Sequence, residues 1–412
     1  MKKISSLLLS LAVCAALLPR LHAQGFAEYI QSVEQHNAAW LAEKYNLDIA
    51  MAQTEAARVF NDPELSVSYG NNQDWSLQMG QSVEAGLSYI FSLGNVRKAR
   101  MGVARSEEDI TRALLDDWFR NLKADATIAW VEALQARSML ELKRSSYQSM
   151  LSVAQADSLR AAMGDLGRVD AMQSRLEAQA MRAEMLSAEA DYRNALSTLS
   201  LYAGGMQFAQ MQEDNYPASI PGLSCREMVD YAVAHRADLL AAEQSRTLSQ
   251  RNLALVKAMR APEIGLNAGY SYNTEVRNEI APAPAFNGLS VGLSIPLKFS
   301  SLNKGERRAA ERAVQQADAA YEAAVRQIET DVLQAYATWQ AAVQIAEECS
   351  GQMMEESASI LESRRLSYLR GDSSLLDYLL SVRVYNDTAQ QCIEARTGLA
   401  TAAANLVRAL GL

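Results

Sequence analysis

Two glycines, Gly164 and Gly371, are each followed at once by an aspartate (Asp165, Asp372) and six residues on by a second one (Asp170, Asp377). A carboxylate at that distance from a glycine turn has two readings. It can complement the N-terminal dipole of the next helix. Alternatively, repeated around a narrow axis, it can favour cations while repelling its own copies unless they are bonded to neighbours. Neither role is catalytic, and the remaining reactive side chains point the same way. The chain holds no nucleophile constellation, HExxH, P-loop or dinucleotide fingerprint, so neither an enzyme nor a cofactor is expected. His36 and His235 occupy equivalent helical positions and read as packing or capping residues rather than metal ligands. The 16 methionines are scattered, as packing residues are. With Cys14 set aside as part of an N-terminal export segment, Cys225, Cys349 and Cys392 are odd in number, widely spaced and without CxxC. They read as buried or isolated thiols rather than a disulfide framework or a zinc site.

The elements that hold these residues are written twice. His36, Ala38, Leu41 and Ala42 recur as His235, Ala237, Leu240 and Ala241, and Pro63-Glu64-Leu65 recurs as Pro262-Glu263-Ile264, all at an offset of 199. Leu87 to Phe91 corresponds to Leu293 to Leu297, and Gly164 to Gly371, at offsets of 206 and 207. A slowly drifting offset with one element order means two copies of a single unit that differ by loop insertions, not a solenoid of short repeats.

Within each copy the apolar period changes. Leu65, Val67 and Tyr69 alternate with polar residues, as do Val83, Ala85, Leu87, Tyr89 and Phe91, with Ile90 the one break in the pattern. In the second copy Ile264, Leu266, Ala268, Tyr270 and Tyr272 alternate in the same way, then Leu289, Val291, Leu293, Ile295, Leu297 and Phe299. Period two predicts strands over about 64–70, 82–92, 263–272 and 289–299. The last, at 11 residues, matches a tilted membrane strand. The opposite face is Ser, Gly, Asn and charge, and tyrosines sit near strand ends, as expected for lipid on one side and water on the other. A soluble sheet over a core is the alternative reading.

Elsewhere the period is helical. Val325, Ile328, Val332, Tyr336, Trp339, Val343 and Ala346 step by three and four, and Trp130 aligns with Tyr336. No proline falls between 64 and 216 or between 297 and 412, so long helices are expected over about 95–163, 168–203, 301–370 and 375–410. An uninterrupted 73-residue arm, from Phe91 to Gly164, would reach about 110 Å at roughly 1.5 Å per residue. The shorter return helices are to be completed by 27–61 and 226–260 stacked end to end with them. Four strands cannot close a barrel, and hydrocarbon cannot satisfy an open sheet edge, so the chain must oligomerise. Two copies would supply 8 strands and three would supply 12.

The formal charge of −9 (39 Lys+Arg, 48 Asp+Glu) is the wrong sign for nucleic-acid binding. Mean hydropathy is −0.13, and no apolar run beyond the N-terminus is long enough for a membrane-spanning helix. Residues 1–23 read as an export signal: Lys2 and Lys3, an apolar Ile4 to Leu18, and Leu21-His22-Ala23 before cleavage. Leu11-Ala12-Val13-Cys14 is a poorer lipoprotein box, because Val13 is bulky and the apolar segment continues past Cys14. The domain plan is a first repeat over 24–205, a linker over 206–224 containing Pro217 and Pro221, and a second repeat over 225–412.

Taken in order, these features resemble the TolC family of outer-membrane efflux channels. The matching features are the tandem copies, the helix-Pro-strand junctions at Pro63 and Pro262, the strand exit Leu293-Ser294-Ile295-Pro296-Leu297, and the turns Met163 to Asp170 and Arg370 to Asp377. The resemblance implies a mainly α protein with a membrane β-barrel contribution: a homotrimer whose four strands per protomer form a 12-stranded barrel above a long α-helical periplasmic tunnel. It also implies an exported chain in the outer membrane of a Gram-negative bacterium, acting as the passive exit duct of an efflux system. Its partners would be a periplasmic adaptor and an inner-membrane pump of RND or ABC type. A type I protein-secretion duct and a non-channel periplasmic scaffold are the competing assignments. Asp377 and Tyr368 fall at the family's gating positions, with Asp170 the equivalent in the other copy, and the turns at Gly164, Asp165, Gly371 and Asp372 would meet the adaptor. The family's arginine two residues after the glycine is Ser373 here, and its acid three after Asp377 is Leu380. Arg370 or Arg168 is the expected substitute for that arginine.

Overall fold

The computed structural model describes residues 25–72, 78–208, 211, 220, 222–297, 303–349 and 351–412. The export signal, most of the 206–224 linker and the last residues of the fourth expected strand lie outside the described residues.

Among the described residues the first copy runs α1 (Phe26–His36), α2 (Ala38–Ala56), β1 (Glu64–Asn71), β2 (Gln81–Ser92), α3 (Val96–Met163) and α4 (Arg168–Tyr202). The second runs α5 (Cys225–His235), α6 (Ala237–Ala258), β3 (Glu263–Asn273), β4 (Phe286–Ser294), α7 (Lys304–Glu348), α8 (Gly351–Arg370) and α9 (Leu375–Leu410). The two orders match, with one difference. The first long arm is a single helix of 68 residues, whereas the expected helix over 301–370 is two, of 45 and 20 residues. The division falls just before Gly351, the residue with the poorest helix propensity after proline. The segments before the strands are also divided, at Asn37 and Arg236, which hold extended backbone.

The described residues form two compact units, one within Glu43–Asp117 and Arg236–Gln327, the other within Met1–Ala42, Trp118–His235 and Ile328–Leu412. The first holds the sheet, antiparallel in the order β1-β2-β3-β4. The central β2–β3 pairing joins the copies, from Ser82↔Asn273 to Ser92↔Glu263. Register puts like with like. Leu65, Leu87, Ala268 and Val291 share one row, and Val67, Ala85, Tyr270 and Leu289 the next. On the other face the rows read Ser66-Gly86-Gly269-Ser290 and Ser68-Glu84-Ser271-Gly288. Facing pairs there are sterically matched: a Cβ on Gly269 would lie 2.6 Å from the Ser290 hydroxyl.

The fourth strand differs from its expected span. It begins three residues earlier, at Phe286, and stops at Ser294, so the longest strand is β2 with 12 residues. Pro296 lacks the N–H that a ladder needs. Beneath the sheet in sequence, the same unit is tied by Thr54 Oγ1 donating to the Ala104 carbonyl (3.3 Å), Arg251 to that of Gly102 (2.8 Å), and the Arg246–Asp318 pair (2.8 Å).

The second unit is helical. Tyr29 stacks on Trp130 at 5.2 Å, and both are fully buried. Trp40 stacks on Trp118 at 5.7 Å. The junction of α1 and α2 abuts the end of α4, as end-to-end stacking requires. Asn37 Nδ2 donates to the Tyr202 carbonyl (2.9 Å) and Ser32 Oγ to that of Ala203 (3.1 Å), supplying partners to acceptors at a helix terminus. Gly204 makes this approach feasible. Its φ is +68°, and a Cβ there would fall 2.3 Å from the His36 carbonyl oxygen.

Candidate functional site

The two turns between the long helices are built by one device. Gly164 ends α3 with φ +88° and Gly371 ends α8 with φ +86°. In each, the following aspartate's N–H reaches back five residues, Asp165 to the Arg160 carbonyl and Asp372 to that of Ser367, both at 2.9 Å. These are Schellman terminations, for which an L side chain at the glycine is unfavourable. Gly164, Asp165, Gly371 and Asp372 are all exposed.

Asp170 and Asp377 are each the third residue of the helix that follows, and both are exposed. Asp377 closes a capping box. Ser374 Oγ accepts from the Asp377 N–H (3.2 Å), while Asp377 Oδ2 accepts from the Ser374 hydroxyl (2.8 Å) and N–H (3.3 Å). The Ser374 hydroxyl and backbone bonds, with the charge of Arg364 behind them, hold the Asp377 carboxyl below its usual range. At the equivalent place in α4 the N-cap is Gly167, with no side chain to complete a box. For Asp377 the capping box supplies the helix-terminal role directly.

Tyr368 lies elsewhere, in the packed interior between the two hairpins. It is 3% exposed and packs with Met150, Val153, Ala154, Ala178, Leu375, Tyr378 and Val382. Its ring stacks on Tyr378 (5.8 Å, 8° between planes), and its hydroxyl donates to Asp157 Oδ2 at 2.8 Å. Asp157 has no exposed surface and its Oδ1 lacks a hydrogen-bond partner. Arg160 is its nearest cation, with Nη1 4.0 Å from that oxygen and the guanidinium 5.9 Å from the Tyr368 ring centre. Burial first, and then the bond to Asp157, keep the Tyr368 hydroxyl protonated far above the usual tyrosine range. The guanidinium at this pair is that of Arg160. Ser373 is a buried hydroxyl with no partner, and Leu380 is half exposed.

Sequence reasoning missed Asp157. Its repeat equivalent is Arg364, so self-comparison does not flag it. A signal was present: Met150, Val153, Ala154 and Asp157 step by three, one and three, placing a carboxylate on the stripe that faces the core.

The histidines close helices. His36 ends α1 and His235 ends α5, where its Nδ1 lies 2.9 Å from the Tyr231 carbonyl. Among the described residues no group of three or more His, Cys, Asp or Glu is placed to hold a metal ion.

A sheet with one apolar and one small polar face, carried by paired helical hairpins, defines the class: the fold is that of outer-membrane channels. It superposes on CusC with a TM-score of 0.76 at 18% identity, covering 96% of this chain and 95% of that one. It matches the Campylobacter jejuni CmeC outer-membrane channel with a TM-score of 0.76 at 13% identity, covering 93% and 85%. Residues 228–412, essentially the second copy, match the family model described as outer membrane efflux protein. The family match thus covers the second copy, while the likeness in fold extends over nearly the whole chain. A curated relative is the cobalt-zinc-cadmium resistance protein CzcC of Cupriavidus metallidurans, 26% identical over 269 residues, 64% of this chain. The match spans 60% of that relative's length. These relatives are described as channels and resistance proteins, not as enzymes.

Proposed function

We propose that this chain is the outer-membrane exit duct of a tripartite export system, working as a homotrimer. The observation that carries the reading is the sheet. Its apolar rows are open to the surroundings, with Leu289 88% and Val291 82% exposed, while the opposite face is mostly Gly, Ser and Asn with Glu84 among them. The outer strands β1 and β4 each have one neighbour. A scaffold sheet would bury that apolar face on its own core. Lipid around a closed ring of strands satisfies both features, since closure removes the edges. Three copies give 12 strands and a water-filled interior, where two would give a filled one.

In this reading the turns at Gly164, Asp165, Gly371 and Asp372 meet a periplasmic adaptor, and an inner-membrane pump of RND or ABC type supplies the energy. The periplasmic end closes as an iris. Tyr368 and Asp157 tie the two hairpins of a protomer together, Arg160 attends the pair, and Asp170 and Asp377 lie exposed at the start of the return helices. The likeness to CzcC makes divalent cations the cargo to test first.

Cysteines placed on the outer strands, at Val67 and Val291 and their row neighbours, test the ring. Oxidation in membranes is expected to give covalent dimers and trimers and nothing larger. A ladder that stops at two, or continues past three, overturns the trimer. An unmodified chain recovered wholly soluble after export overturns the duct.

A further inference from the structure

The three cysteines beyond the N-terminal segment show no framework in the sequence, yet the fold brings two of them together. Cys349 follows α7 at the point where the second arm divides, and Cys392 lies within α9. The Cys392 thiol donates to the Cys349 carbonyl oxygen at 3.9 Å, which brings the Cys392 sulfur against the backbone of Cys349. Cys392 is buried and Cys349 half-buried. Burial, then the neighbouring thiol, raises the Cys392 pKa. Around them open about 480 Å³ of space lined by Ile345, Glu348, Met353 and Glu394, among others. A zinc-type site needs three or four ligands, and no such group exists among the described residues. Two adjacent thiols alone suit a different chemistry.

We propose that Cys349 and Cys392 form a disulfide after export, which rests on the reading of this chain as an exported duct. The periplasm is oxidising, and the oxidant required is a protein or small-molecule disulfide donor. The more accessible Cys349 thiolate attacks the donor's S–S bond, forming a mixed disulfide and releasing one donor sulfur as a thiolate. Cys392, once deprotonated, attacks the Cys349 sulfur and expels the second donor sulfur. The donor leaves as a dithiol, reduced by two electrons, and takes the two protons lost by Cys349 and Cys392. The bond would join the division between α7 and α8 to α9 and enclose the turn at Gly371. The second hairpin, from Gly351 to Cys392, would then be held as a closed loop that must move as one body, with its freedom left at the division between α7 and α8.

The test uses the full chain. Protein from outer membranes is trapped with a thiol alkylator without reductant and digested with trypsin. The expected product is a linked pair of peptides ending at Arg364 and Arg396, lighter by two hydrogens than their sum, with Cys225 alkylated. Reductant should free both thiols, and a chelator should free neither. Full alkylation of Cys349 and Cys392 in outer-membrane protein overturns the disulfide while leaving the duct intact, and chelator-sensitive protection overturns it in favour of a metal. Recovery of the chain outside the envelope overturns the duct instead. A second arm does not depend on location: purified, reduced chain is exposed to oxidised glutathione. The linked pair is expected, and a glutathione adduct on Cys349 alone overturns the geometry. The C349S/C392S double variant should melt below the oxidised parent and match the reduced one.

Discussion

Replacing Tyr368 with phenylalanine keeps the ring on Tyr378 and removes only the oxygen that donates to Asp157 at 2.8 Å. Tyr368 is 3% exposed and Asp157 wholly buried, so water cannot take over the bond. A hydrogen bond to a charged group is worth about 1.5–3 kcal/mol, and here its loss leaves a buried carboxylate whose other oxygen is already unpartnered. We expect Tyr368→Phe to destabilise the closed tip by about 2 kcal/mol, or about 30-fold in an opening equilibrium at roughly 1.4 kcal/mol per decade. Single-channel recording in planar bilayers reads this as an increased open fraction or conductance. Asp157→Asn retains a neutral bond and should do less. In a double-mutant cycle the two changes should couple by about 1–2 kcal/mol, because they remove the same contact. Opening within about threefold of the parent for Tyr368→Phe, with additive effects in the cycle, would refute the assignment of this pair as the tie between hairpins. The pair also has a pH window. The folded state holds the Tyr368 proton more tightly than the unfolded chain does. Its contribution is therefore complete below the ordinary tyrosine value of about 10 and is lost as pH rises beyond that, leaving closure through this residue unchanged between about pH 6 and 9.

Other outcomes follow from the same geometry. Val291→Arg, on the apolar face, should cost about 2–4 kcal/mol in the membrane and abolish assembly in the outer-membrane fraction, whereas Ser290→Arg on the opposite face should assemble. Gly204→Ala faces a left-handed backbone worth roughly 1–2 kcal/mol of strain, besides a 2.3 Å approach to the His36 carbonyl, so a clear drop in melting temperature is expected. Ser374→Ala opens the capping box and should speed hydrogen exchange in the first turn of α9. The same turn should loosen in the parent as pH falls through the depressed Asp377 value, since a carboxylate with a lowered folded pKa stabilises only above its titration.

Much was legible before the fold was known, because it depends on local pattern. Alternation in Leu65, Val67 and Tyr69 marks a strand whatever it packs on, and the recurring Gly-Asp pairs mark the helix ends. The tandem order placed Asp170 and Asp377 at equivalent turns. Less was legible where a neighbour decides. The division before Gly351 did not show in a helical period that continues on both sides. The early end of β4 was hidden by alternation running on past Pro296, although the missing N–H was there to be read. Asp157 escaped notice because its counterpart in the other copy is Arg364, so its place on the stripe of Met150, Val153 and Ala154 was not flagged by the repeat.

The sequence by itself determined the two copies, the two-sided strands and the helix stops, since each follows from side-chain periodicity or the conformational freedom of glycine. Tertiary structure alone decided which residues from distant copies meet. It set Tyr368 against Asp157, 211 residues apart, brought Cys392 to Cys349, and aligned four strands so that the rows through Leu65 and Val67 run apolar from β1 to β4. Such meetings depend on how whole helices and strands pack, and a one-residue change of register would reverse every face of a strand.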